Sequence, residues 1–181
     1  MASPKPKYYW DACIWITLIA DRQSARGEAC EYILEQAQAG DCEIWTSSFC
    51  LAEVVKRKCD GETVGLPDER DTYFEDLIEQ EFIHKVSVDV DVGKVARRLL
   101  RRFPSIGKPQ DAIHVATCLL NNVDQLHTYD RDDLLGLDGQ LDRLDRQKLT
   151  ICAPPDRPED PEPGMFDDEG TEAKDEDAEG I

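Results

Sequence analysis

Five short apolar runs alternate along this chain with segments of helical period, and that alternation limits the possible folds more than any other feature. The runs are YYWD from Tyr8, EIWT from Glu43, FIHKVSV from Phe82, QLHTY from Gln125 and KLTIC from Lys148. Between them CIWITLIA reads as a helical start, ARGEACEYILEQAQAG as a helix stopped at Gly40, and SSFCLAEVVKRK as a helix with Ser47 as its N-cap. GETVGLPDERD reads as a loop before a helix from about Thr72 to Gln80. DVGKVARRLLRRF follows as a basic amphipathic helix, PSIGKP as a breaker, and PQDAIHVATCLLNN as the last helix. Strands that alternate with helices of ten or more residues predict an α/β fold, with three α/β/α layers around a central, mainly parallel sheet. In such sheets ligands sit beyond the carboxyl ends of the strands, where the following helices begin.

The folded domain is assigned to residues 1–153. From Pro154 to Ile181 the chain is rich in proline, glycine and acids and nearly lacks aliphatic residues. Such a segment buries too little surface to offset its ordering entropy, so residues 154–181 are expected to form a disordered acidic tail. Asp156 to Ile181 holds twelve acids against Arg157 and Lys174, and so carries −10 of the net charge of −18. The acidic total argues against indiscriminate binding to polyanions, although the basic residues of the folded part are clustered. The seven cysteines include no C-x-x-C pair and mostly have apolar neighbours, which predicts reduced, buried thiols in a cytoplasmic protein rather than a disulfide frame or a zinc site. The N-terminus has no secretion-signal pattern, and no segment approaches the twenty apolar residues of a membrane span.

Four acids fall on the rim where such a sheet binds ligands. Asp11 ends the first strand, Glu53 lies in the opening turns of the helix after EIWT, Asp111 is in a first helical turn behind Pro109, and Asp130 follows QLHTY. Each has a purely structural use: Asp11 as a helix cap, Glu53 on a solvated helix face, Asp111 against the helix dipole, Asp130 as a turn acid. Brought together, however, carboxylates repel and raise one another's pKa unless a cation neutralises them. An all-oxygen cluster suits Mg²⁺ or Mn²⁺, and the chemistry expected of it is metal-assisted attack of water on a phosphodiester.

The order of these segments, YYWDACIWI, SSFCLAEVV, KPQDAIHVATCLL and LHTYDRDD, resembles the PIN-domain ribonucleases, including VapC-like toxins of toxin–antitoxin pairs. The resemblance runs from about Tyr8 to Cys152, and DAIHVA followed by a strand and T-x-D is its most specific part. It implies a PIN-like α/β/α fold and a Mg²⁺ or Mn²⁺ site, both catalytic and metal-binding, made of Asp11, Glu53, Asp111 and Asp130. It also implies that Thr128 orients the last acid or a water. Cys13 departs from the asparagine the family often carries there, and Asp132 and Asp133 compete with Asp130 for the fourth position. His114, one turn beyond Asp111 among apolar neighbours, reads as a hydrogen-bonded packing residue.

Two basic clusters could hold RNA: Lys94, Arg97, Arg98, Arg101 and Arg102 at three- and four-residue steps, and Lys56, Arg57 and Lys58 just after Glu53. Each could equally be a solvated face. The expected function is therefore a metal-dependent endoribonuclease acting on RNA, the toxin of a pair restrained by a small antitoxin. The resemblance also implies a homodimer. The alternatives are a non-catalytic PIN-like RNA-binding or assembly module, and a PIN nuclease of RNA maturation or decay. A phosphatase using Asp11 as nucleophile would need an acid at position 13, where Cys13 stands. The tail's acids could compete with RNA for the arginine stripe, in which case its removal would tighten RNA binding at low salt.

Overall fold

The computed structural model describes residues 4–59 and 61–158, except the side chains of Lys58 and Cys59, so residues 159–181 of the expected tail lie outside the described residues. In chain order the elements are β1 (Lys7–Trp10), α1 (Ala12–Ala20), α2 (Ala25–Ala39), β2 (Glu43–Ser47), α3 (Ser48–Glu53), β3 (Lys56–Cys59), β4 (Glu62–Gly65), α4 (Asp68–Ile78), β5 (Ile83–Val86), α5 (Val90–Arg102), α6 (Pro109–Leu120), β6 (Gln125–His127) and β7 (Thr150–Cys152). Five strands form one sheet in the order β5-β2-β1-β6-β7, and every pairing within it is parallel.

Successive side chains of β1 point to opposite faces, as the pleat requires, and both faces are covered. Trp10 packs with Ile14, Trp15, Leu18 and Ile33 beneath α1, α2 and α4, whereas Tyr9 joins Leu99, Val115, Leu119 and Leu126 beneath α5 and α6. The three-layer α/β/α arrangement expected from the sequence is therefore present. Burying each of these large apolar side chains contributes about 1.5–3 kcal/mol, so the two clusters are the main source of stability. Helix ends follow local chemistry. Ser24 Oγ accepts from Gly27 N, Asp89 Oδ1 accepts from the first turn of α5, and Gly40 closes α2 at φ +86°.

Two expectations fail around residue 55. The segment SSFCLAEVVKRK is not one helix: α3 stops at Glu53, and Lys56–Cys59 pairs antiparallel with Glu62–Gly65 as a hairpin, where a loop was expected. The β-branched pair Val54-Val55 disfavours helix, Cys59 pairs with Glu62, and the sequence carries Asp-Gly between those two positions. Asp-Gly between strands is a strong hairpin signal. Helix α4 also begins earlier than Thr72, because Asp68, Glu69 and Asp71 meet the positive end of its dipole just after Pro67.

Candidate metal centre

The chain runs from β1 outward to β2 and β5, then returns across the sheet to β6 and β7, so the topology reverses beside β1. A crevice opens at such a reversal because the helices on its two sides leave in opposite directions. Asp11 stands there, one residue past β1, buried at 5% exposure, and its Oδ1 accepts from Cys13 N (3.0 Å) and Ile14 N (3.2 Å) as the N-cap of α1. Glu53 is the last residue of the six-residue α3, not an opening residue of a longer helix. Asp111 lies in the first turn of α6 at 9% exposure, and Asp130 follows β6. All four line one cleft of about 730 Å³.

At the edge of that cleft Asp111 and Asp130 meet Asp133, and one ligand oxygen of each lies within 4.8 Å of the others. Asp133 thus joins the cluster, while Asp132 is exposed and Asp11 and Glu53 line the cleft outside this group of three. The turn itself builds this arrangement. Asp130 Oδ1 accepts from Asp132 N and Asp133 N, both at 3.0 Å, which folds the loop back and leaves Oδ2 toward the cleft. Gly107 accommodates the returning carboxylate, since a Cβ there would lie 3.0 Å from Asp133 Oδ1.

Lys108 supplies the neutralising charge. Its Nζ lies 2.7 Å from Asp133, 3.5 Å from Asp130 and 3.9 Å from Asp111. The hydrogen bond to Asp133 raises the ammonium pKa and holds Asp133 below the ordinary carboxylate range. Asp111 shows the opposite balance. Burial and the neighbouring Asp130 and Asp133 outweigh Lys108 and push it to about 6, and its Oδ2 is buried without a hydrogen-bond partner. Burial likewise raises Asp11. An oxygen-only donor set with one orphaned buried carboxylate oxygen fits a hard divalent cation.

The flanking residues fix this rim. Thr128, fully buried, accepts from Asp130 N at 3.0 Å, while the Cys13 thiol accepts from Tyr129 N at 3.1 Å. Cys13 therefore ties the start of α1 to the end of β6. His114, at 2% exposure, bonds Tyr9 Oη through Nδ1 (2.7 Å) and Glu53 Oε2 through Nε2 (2.8 Å). The basic residues lining the cleft are Arg26, Lys56, Arg57 and Lys108, with Arg26 stacked 4.8 Å from the Tyr129 ring centre. Of the two basic clusters read from sequence, only Lys56 and Arg57 reach it. Arg97, Arg98, Arg101 and Arg102 are exposed on α5 and line none of it, and the Lys58 side chain lies outside the described residues.

Residues 8–138 match the PIN domain. The chain belongs to the PIN domain family. No curated protein matches it. Among solved structures, the PIN chain is similar to Mycobacterium tuberculosis VapC20, described as a toxin that cleaves the sarcin–ricin loop. The TM-score is 0.52 at 16% identity, over 69% of this chain and 91% of that one. It is also similar to VapBC2 from Rickettsia felis bound to a DNA fragment from their promoter, with a TM-score of 0.51 at 16% identity over 80% of this chain and 98% of that one. At that identity the likeness is one of fold, and it agrees with the PIN-like architecture expected from the sequence. Among the described residues of this PIN domain, no helix is long and apolar enough to cross a membrane.

Proposed function

We propose that this PIN-domain protein is a Mg²⁺- or Mn²⁺-dependent endoribonuclease and the toxin of a toxin–antitoxin pair. The observation that carries the reading is the acidic cleft at the topological reversal, where the orphaned oxygen of Asp111 faces Asp130 and Asp133. Asp111 and Asp130, with Asp11 and Glu53 lining the same cleft, would hold the ion, and Asp133 assists as the counter-charge that anchors Lys108. A bound divalent ion lowers the pKa of the attacking water and neutralises charge growing on the phosphoryl oxygens.

The chain's own residues supply the rest. Arg26, Lys56 and Arg57 hold the flanking phosphates against an otherwise repulsive acidic wall, and Lys108, held by Asp133, offers an ammonium at the phosphoryl group. Thr128 keeps Asp130 in place through its backbone N–H. Support for an antitoxin partner comes from the VapC and VapBC fold neighbours, and sedimentation of the purified protein tests the homodimer the resemblance implies. The direct test incubates purified protein with mixed RNA and Mn²⁺, beside an EDTA control and the Asp111→Asn variant, and maps the cut ends. Cleavage by the unaltered protein alone, and only with metal, is expected. Metal-independent cleavage, or equal cleavage by the variant, would overturn the reading; metal binding without cleavage of any RNA would favour the non-catalytic module.

A further inference from the structure

Glu53 is the least anchored of the four acids by its own backbone. It ends a helix of only six residues, is followed by a turn at Val54 and Val55, and then by a hairpin. Something else must fix its carboxylate, and among the described residues its side-chain hydrogen-bond partner is His114. The direction of that bond follows from chemistry. An ionised carboxylate only accepts, so Nε2 carries the proton toward Oε2 at 2.8 Å, and in the neutral ring Nδ1 is then the acceptor for the Tyr9 hydroxyl at 2.7 Å. Tyr9 and His114 are both buried. Tyr9 is fully buried in β1, two residues before Asp11, and His114 sits one turn beyond Asp111 on α6 with the Phe49 ring 6.1 Å away. One of the cleft's acids, Glu53, is thereby tied by hydrogen bonds to β1 and α6, the elements that carry or adjoin Asp11 and Asp111.

We propose that Tyr9 and His114 are positioning residues that orient the Glu53 carboxylate and so set the affinity of the site for its divalent ion. His114 lines the cleft beside Glu53 and acts by holding Oε2, which leaves Oε1 as the oxygen not engaged by the ring. This inference rests on the metal-dependent reading above. Outer partners of metal ligands are typically worth 10- to 100-fold in affinity, and the His114 end of the pair is buried, so the ring that sets the direction of the bond is fixed by its surroundings.

The test is calorimetric titration of Mn²⁺ into metal-stripped full-length protein, compared across the unaltered chain and His114→Phe, His114→Gln, Tyr9→Phe and Asp111→Asn. His114→Phe keeps a ring of similar bulk and removes the donor, so Mn²⁺ binding weakens 10- to 100-fold. His114→Gln returns an amide donor near Nε2 and recovers most of that loss, which a purely structural role would not predict. Tyr9→Phe leaves the Glu53 bond in place but frees the ring, and weakens binding several-fold. In the cleavage assay, His114→Phe lowers kcat at limiting Mn²⁺, leaves the KM for RNA unchanged, and is rescued by excess Mn²⁺. Should His114→Phe unfold, the glutamine and Tyr9→Phe variants carry the comparison. Mn²⁺ affinity within twofold of the unaltered protein for both His114→Phe and Tyr9→Phe would overturn the inference. Absence of Mn²⁺ binding by the unaltered protein would instead overturn the metal reading itself, and the inference with it.

Discussion

Replacing Asp111 with asparagine should destroy the metal site and, without metal, stabilise the protein. Asp111 is raised from 3.8 to about 6, chiefly by burial, and is only 9% exposed, so little solvent screening dilutes the effect. Between those two values the folded protein holds a proton that the unfolded chain has released. Stability from this group is thus complete below pH 3.8 and is lost as pH rises through 6. A shift of about two units corresponds to roughly 3 kcal/mol. Asparagine keeps the shape without the charge, so in EDTA at pH 7.5 Asp111→Asn should exceed the unaltered protein by up to about 3 kcal/mol in urea denaturation. The difference should shrink toward zero near pH 4. Mn²⁺ at 1,000 times its Kd should reverse the order, because it adds about 4.1 kcal/mol to the form that binds it. A variant less stable than the unaltered protein in EDTA at neutral pH, or a difference independent of pH, would refute this reasoning.

Other expectations concern separate parts of the molecule. The His127 ring is fully buried between Trp10 Nε1 and Gln125 Oε1, and burial lowers its pKa from 6.5 to about 4. Its contribution is present above pH 6.5 and falls away as pH drops through 4, a loss of roughly 3 kcal/mol; an NMR titration placing the ring near 6.5 would contradict this. A Cβ on Gly27 would run into the Asp21 carbonyl oxygen and the Arg22 backbone, so Gly27→Ala should cost about 1–3 kcal/mol by overpacking where α2 meets the end of α1; calorimetric melting tests it. Arg26→Ala or Lys56→Ala should each lower the slope of log K against log salt for single-stranded RNA by about 0.7. Arg97→Ala, outside the cleft, should leave that slope unchanged; the reverse pattern would move the RNA path to α5.

The sheet, its two helical layers and the meeting of Asp11, Glu53, Asp111 and Asp130 in one cleft were legible because alternating strands and helices put strand-end residues on a common rim. What lay beyond reach depended on turns and distant contacts. Asp133 enters the cluster because Asp130 Oδ1 captures two backbone N–H groups and folds the loop over Gly107, a geometry that the run YDRDD does not specify. Lys108 read as the residue before a helix, and its three carboxylate neighbours appear only when α6 and the 130–133 turn come together. The His114 bond to Glu53 joins residues 61 apart, and the Tyr9 bond joins residues 105 apart. The hairpin after Glu53 did have a signal, Asp60-Gly61 between β-favouring residues, but helical continuation through KRK obscured it. The arginine stripe had correct helical spacing, yet spacing could not tell that α5 presents it away from the cleft.

The central claim is that the carboxylates around Asp111 hold a divalent cation. Anomalous diffraction from crystals grown with Mn²⁺ tests it most directly. The account predicts a peak in contact with Asp111 and Asp130, with Lys108 displaced from its place among the acids. No peak in the cleft at saturating Mn²⁺, with Lys108 still bridging Asp111, Asp130 and Asp133, would contradict it.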